Sequence, residues 1–271
     1  MRSVFRDHPN VTRLLTMAAF VAFWEYAGRN ANPLFMTYPS AIAHAFVEIA
    51  SNGVGDTSWG HFVNSDLSSA FVTSMVPFVI GTFISIVAGT VIGGIIGQWR
   101  VFEYALDPFI NALNAIPRIA LVPLIMLWAG IGIGGKVAII VSLAILPVII
   151  NTYAGVRSVG GSMREIGRAF GASESEIFFK ITLPAAVPHM MAGIRIALGA
   201  AIIGLIVSEF FTALTGLGSL MMRYASVFAT DKLFVPIIVI ALMGVLLTLL
   251  VQSIERRISK WRVLERERAP G

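Results

Sequence analysis

Three groups of residues have types and spacings that could do chemistry. Residues 130–135 read GIGIGG and are followed by Lys136, formally G-x-G-x-x-G and close to a phosphate-binding loop. That loop needs a Ser or Thr after the lysine to hold magnesium, and a strand before the glycines. Val137 stands at that position and apolar helix-forming runs flank the glycines. A glycine turn between two helices fits better, so the chain holds no nucleotide by this motif. Ionisable residues inside apolar runs form the second group. Arg118 interrupts IPRIALVPLIMLWAG, and Glu209 closes a long apolar run. Such residues are functional candidates by default. Arg118 could attract an anion, reach the lipid headgroups along its own stem, or pair with a carboxylate such as Glu209. Glu209 could line an outer gate or pair at an interface. Asn111 and Asn114 lie just before Arg118 and complete a candidate solute pathway. The third group is the charged stretch 160–188, GGSMREIGRAFGASESEIFFKITLPAAVP.

Metal and nucleophile chemistry have no material here. There are no cysteines and four histidines, and His8, His44, His61 and His189 are scattered. No nucleophile–base set is legible, so no catalytic residue is named.

The charged stretch has a local grammar. Ser162 with Glu165 fits a capping box, in which each side chain satisfies a backbone N–H of the other residue. Gly171 stands where that helix must turn, because glycine adopts positive φ without strain. Ser173 with Glu176 repeats the capping box. Residues 177–183 form the body of a second short helix, and Pro184 is expected to end it. Arg164 and Arg168, four apart, share one face of the first helix.

On these residues the chain resembles a known family. Glu165, Gly171, Ile181, Leu183 and Pro184 fall at the spacing of the EAA loop (E-A-A-x3-G-x9-I-x-L-P) of ABC-importer permeases. Ile166 and Gly167 replace the two alanines. That departure is similar to the branch carrying nitrate, sulfonates, taurine and bicarbonate, where E-x-G-R-x-x-G-A-S is common. The resemblance implies that Arg164, Glu165, Gly167, Arg168, Ala169, Gly171, Ala172, Ser173, Ile181, Leu183 and Pro184 couple the chain to an ATPase. The competing reading is an ordinary loop in which Glu165 only caps a helix. W-x-G-I-G at residues 128–132 and E-x6-G-L-G from Glu209 to Gly218 extend the resemblance, with Thr212 in place of a usual glycine.

The elements that must position these groups are membrane helices. The chain is 56% hydrophobic and 13% charged, with mean hydropathy +0.82. That composition belongs to a polytopic membrane protein. The net charge of +5 is spread over loops between apolar spans, which argues for positive-inside topology and against nucleic-acid binding. We expect an all-α bundle of six transmembrane helices in a single transmembrane domain over 1–271. Its core is 70–255, its coupling loop 157–188 and its basic tail 255–271.

The first span, residues 14–27, is short and uncleaved, with Trp24 and Tyr26 as interface belt residues. Residues 28–69 form an outer loop around a short helix capped by Ser40, with Gly53, Gly55 and Gly60 keeping it irregular. The second span, 70–97, carries Gly89, Gly93 and Gly97 four apart, the pattern that lets helices approach closely. Pro117 breaks the third span, which must then line protein or water. Pro147 kinks the fourth, 136–156. The fifth is 189–211 and the last 233–254. Six spans put both termini and the EAA-like loop in the cytoplasm. Arg2, Arg6, Arg13, Arg100, Arg157, Arg164, Arg168, Lys180 and the tail (Arg256, Arg257, Lys260, Arg262, Arg266, Arg268) then lie inside. Arg29, Lys136, Arg223 and Lys232 lie outside.

The resemblance implies a type I importer permease working by alternating access. It implies partner ABC ATPase subunits that bind ATP and Mg, a second permease subunit forming a homodimer, an extracytoplasmic solute-binding protein, and membrane lipid. The location would be the bacterial inner membrane. The implied solute is a small anion of the nitrate, sulfonate, taurine or bicarbonate class. An ion-gradient-driven secondary transporter is the alternative; it would want a relay of buried ionisable groups, often in paired repeats.

Overall fold

The computed structural model describes residues 9–52, 65–212 and 215–258, with no account of the side chains of Pro9 and Asn10. Among these residues all regular structure is helical. In order, the helices are α1 (Pro9–Arg29), α2 (Pro39–Ser51), α3 (Asp66–Gln98), α4 (Arg100–Ala115), α5 (Val122–Ala129), α6 (Ile133–Ser158), α7 (Gly161–Ala169), α8 (Glu174–Ile177), α9 (Leu183–Thr212), α10 (Leu217–Ser226) and α11 (Thr230–Ile258). A 3₁₀ turn, Arg118–Leu121, precedes α5, and a π turn, Phe178–Thr182, joins α8 to α9. Arg2, Arg6, His8, Gly53, Gly55, Gly60, His61, Lys260, Arg262, Arg266 and Arg268 lie outside the described residues.

Among the described residues, four helical stretches are long and apolar enough to cross a membrane: Asp66–Gln98, Ile133–Ser158, Glu174–Thr212 and Thr230–Ile258. The pair α4 and α5, bent by 87°, makes a fifth if it counts as one broken span. Pro117 sits at that bend, as the sequence leads one to expect. The expected first span is not among them. Helix α1 has 21 residues, but Arg13, Glu25 and Arg29 dilute its apolar run.

The chain divides into two compact units, residues 1–73 with 213–239 and residues 74–212 with 240–271. In the first, α1 is tied to the loop after it. Trp24 Nε1 donates to the Thr37 carbonyl at 2.9 Å, and its ring stacks near Phe234 at 5.9 Å. Trp24 is therefore used for packing as well as amphipathic placement. Ser40 does not cap α2. Tyr38 holds that position with Pro39 at the first turn, where a missing N–H costs nothing. Instead Glu25 accepts the Ser40 N–H at 3.0 Å and the Ser40 hydroxyl at 2.7 Å. The helix start is thus capped from α1.

The second unit is built on close approach of α3, α6 and α9. A Cβ on Gly89, Gly93 or Gly97 would come within 2.6 to 2.7 Å of Val148, the Ile149 carbonyl or Val156 of α6. The small-residue stripe therefore faces another helix, not lipid. Helix α6 adds its own: Gly155 meets Ala186 and His189 of α9. Val122 of α5 is buried with Ile139 and Leu143 of α6, which seats the broken helix against the bundle.

Candidate functional site

Helix α7 is a nine-residue helix with Gly160 as N-cap. It begins two residues earlier than a Ser162 cap requires, so Ser162 lies inside the first turn and the expected box with Glu165 does not form. The turn after it does form as read. Gly171 has φ +78, its N–H donates to the Arg168 carbonyl at 2.9 Å, and the Ala172 N–H donates to the Gly167 carbonyl at 3.1 Å. The second box forms in full. The Glu176 N–H donates to Ser173 Oγ at 3.3 Å, and the Ser173 N–H donates to Glu176 Oε2 at 3.1 Å.

Pro184 does not stop the helix. The chain runs from α8 through the π turn into α9, and the Leu183 N–H donates five residues back to the Phe178 carbonyl. Widening the turn makes room for a proline that lacks an N–H and crowds the preceding turn. Sequence rules anticipated a break, whereas the wider turn keeps the two segments continuous.

Two short helices are locked against each other and against α6. Gly167 is buried, and a Cβ there would meet Ile181 Cδ1 at 2.9 Å and Ile177 Cγ1 at 3.0 Å. Glycine in place of an alanine lets the ends of Ile177 and Ile181 lie directly on the α7 backbone. Arg164 Nη2 donates to the Val156 carbonyl at 3.0 Å, which anchors α7 to the end of α6. Arg168 Nε donates to Glu174 Oε1 at 2.7 Å. That hydrogen bond, with the charge behind it, raises the Arg168 pKa above its usual value. Leu183 is half-buried, while Pro184, Glu165 and Ala169 are exposed.

What faces outward is apolar. Met163, Ile166 and Phe179 are exposed, and Phe170 is 87% exposed. Exposed large apolar residues grouped on a short charged segment mark an interaction surface. Met163, Ile166 and Phe170 were not singled out by motif spacing. Their signal was available as apolar side chains at positions the motif leaves free.

The four pathway candidates do not act as one set. Asn111 Nδ2 donates to Asp107 Oδ2 at 2.9 Å, and Asn114 is exposed. Helix α4 buries none of its residues. Arg118 Nη1 donates to the Leu143 carbonyl at 2.9 Å. That carbonyl lies four residues before Pro147, which has no N–H to return to it. Arg118 thus satisfies the acceptor that the proline leaves open. The suggested Arg118–Glu209 pairing is not made. Glu209 is fully buried; it accepts from Ser74 Oγ at 2.7 Å and from Lys136 Nζ at 3.5 Å. Lys136 itself is buried, although its place after a glycine turn suggested an exposed loop. Arg195 in α9 pairs with Glu255 of α11; it was open to the same rule that picked out Arg118.

Residues 85–260 match the family model described as binding-protein-dependent transport system inner membrane component. An aliphatic sulfonates transport permease protein of Bacillus subtilis is 31% identical over 251 residues, spanning 92% of this chain and 87% of the relative. The taurine transport system permease protein of Escherichia coli is 29% identical over 232 residues, 85% of this chain and 81% of the relative. A formylaminopyrimidine transport permease protein of Halalkalibacterium halodurans is 33% identical over 183 residues, 68% of this chain and 73% of the relative.

Proposed function

The chain belongs to the binding-protein-dependent transport inner membrane component family, and we propose that its α7–α8 segment is where an ATPase subunit engages it. As a member, the chain is the multi-pass inner-membrane permease of an ABC importer and does not itself hydrolyse ATP. The family match removes the ion-gradient alternative.

The observation that carries the docking proposal is the outward apolar set Met163, Ile166 and Phe170 on a pair of helices whose other contacts are already made. Gly171, Ala172 and the Ser173–Glu176 box hold the turn, Gly167 and Ile181 hold the packing, and Arg164 holds the segment to α6. Glu165 is exposed and available to a partner. ATP and Mg belong to that partner. Closure of two ATPase subunits would move α7–α8 as a rigid element with two positions.

The finer topology is part of the same proposal. Counting α1 and the bent pair α4–α5 brings the spans to six, as in a type I permease. Both termini and α7–α8 then lie in the cytoplasm, in keeping with the lysine and arginine distribution. A second copy of the chain completes the pathway, and α4, which buries nothing in one chain, is the face left for it.

For the solute we favour a small anion of the sulfonate or taurine class. The sulfonate and taurine relatives cover 92% and 85% of this chain. A relative named for formylaminopyrimidine is about as similar, so solute choice is assigned to the binding protein. Arg118 gives one N–H to the Leu143 carbonyl, so an anion role would draw on its remaining donors.

The test is recovery of partners from native membranes in mild detergent, read by mass spectrometry. An ATPase should come down with the tagged chain, and Phe170→Asp should abolish its recovery while leaving the membrane level of the permease unchanged. Full ATPase recovery with Phe170→Asp would overturn the docking surface.

A further inference from the structure

A cleft of about 500 Å³ lies in the second unit between the end of α3 and the α8–π-turn segment. Its α3 wall runs from Thr90 to Gln98, about 12 Å of helix at 1.5 Å per residue. The inner wall is apolar: Val91, Ile95, Phe178 and Leu183 line it. The polar residues Gln98, Ser175 and Glu174 and the neighbouring Trp99 complete the lining. Trp99 is half exposed at the point where a membrane-spanning helix ends, the level at which tryptophan sits among headgroups. An apolar depth leading to a polar mouth at that level follows the profile of a lipid.

Two features specify the headgroup. The one charged residue lining the cleft, among those described, is the carboxylate Glu174, whose Oε1 already accepts from Arg168 at 2.7 Å. Gln98 Oε1 is shielded from solvent and has no hydrogen-bond partner. An acceptor left this way is destabilising, and a turn of the amide toward a donor in the cleft would satisfy it. Gln98 Oε1 and the second carboxylate oxygen of Glu174 can each take a donor.

We propose that this cleft holds a membrane phospholipid whose headgroup carries a primary amine, its acyl chain along α3 and its ammonium at Gln98 and Glu174. A choline headgroup has no N–H to offer either group. The bound lipid would bridge α3 and the π turn that carries the α7–α8 segment, so that occupancy bears on how that segment moves. The proposal rests on the membrane placement of α3 and not on ATPase docking or on the solute.

The experiment is native mass spectrometry of the full-length protein, with any copurifying subunits, after exposure to phosphatidylethanolamine or to phosphatidylcholine of the same acyl chains. We expect the ethanolamine lipid to be retained about tenfold better. Gly94→Leu should remove that retention. A Cβ at Gly94 meets only Phe178, at 3.7 Å, so the new side chain fills the cleft without displacing backbone. Gln98→Leu, at a partly exposed position, should leave lipid bound but erase the headgroup preference; it gives an independent reading if Gly94→Leu fails to accumulate. Equal retention of the two lipids, or retention unchanged by both substitutions, would overturn the proposal. So would loss of chain–chain association or of ATPase recovery in Gly94→Leu, which would make the cleft a protein interface. Absence of an ATPase from the wild-type preparation would count against the docking proposal alone.

Discussion

The α7–α8 segment and the Lys136–Glu209–Ser74 knot place their charges in opposite ways. In the segment, Arg168, Glu174, Glu176 and Lys180 are exposed and the apolar Phe170 points outward. In the knot, lysine and carboxylate are both buried and tie together helices α3, α6 and α9 of the second unit. One region keeps its ionisable groups in water and leaves large apolar side chains exposed beside them. The other has withdrawn its charges from solvent and satisfies them internally. The exposed charges make local contacts within the segment, whereas the buried ones join distant helices.

The largest effect should come from unbalancing the knot. Glu209→Leu removes the carboxylate beside a lysine that is 5% exposed, and breaking a buried pair costs about 3–5 kcal/mol. The expected outcome is a sharp fall in membrane accumulation and in the thermal midpoint of the purified protein. Lys136→Met combined with Glu209→Leu should recover most of both, because an apolar replacement of the whole pair is tolerated. Removing charge from the exposed Arg168–Glu174 pair by Glu174→Gln should leave the thermal midpoint unchanged, since exposed pairs add little. A stable Glu209→Leu protein would erase the contrast between the two regions.

The same contrast decides what the sequence could reveal. Contacts that hold the α7–α8 segment are local: the capping box spans three residues, and Arg168 reaches six along the chain. Residue types at fixed short spacings encode such contacts, so the turn at Gly171 and the second capping box were legible. The Gly89, Gly93 and Gly97 stripe was legible too, because one helix carries the whole pattern. Glu209 reaches Ser74 across 135 residues and Lys136 across 73, and no local pattern announces either partner. Two local readings failed for local reasons. Gly160 took the cap expected of Ser162, and a π turn absorbed the proline expected to end the helix. The first expected span forms as a helix of 21 residues, but its charged flanks keep it below the others in length of apolar run.

A smaller effect, confined to transport, should follow from Gly171→Val. At φ +78 a Cβ would have nothing within 4 Å, so the substitution acts through the backbone alone. Holding a residue with a side chain in that region costs about 1–3 kcal/mol, and most for a β-branched one. The turn should open, and ATP-dependent uptake should drop while the amount of protein in the membrane stays the same. Normal uptake would remove the segment from the coupling path and leave it a loop like any other.

Arg118 lies between the two regions in kind, and it should give the most discriminating effect. It is half-buried and donates to the Leu143 carbonyl at 2.9 Å, the acceptor that Pro147 leaves unpaired. If its work is to satisfy that carbonyl, Arg118→Ala costs about 1.5–3 kcal/mol, the worth of a hydrogen bond from a charged group. The loss should appear as a lower thermal midpoint. Pro147→Ala returns an N–H to the ladder of α6, so in that background Arg118→Ala should cost little, and the double-mutant cycle should show strong coupling. An arginine that instead served a passing anion would behave differently. Its removal would lower uptake of an anionic solute by the same factor with or without Pro147, and stability would not register it. Coupling in stability assigns Arg118 to the architecture with Lys136 and Glu209, whereas additive losses in uptake assign it to the pathway.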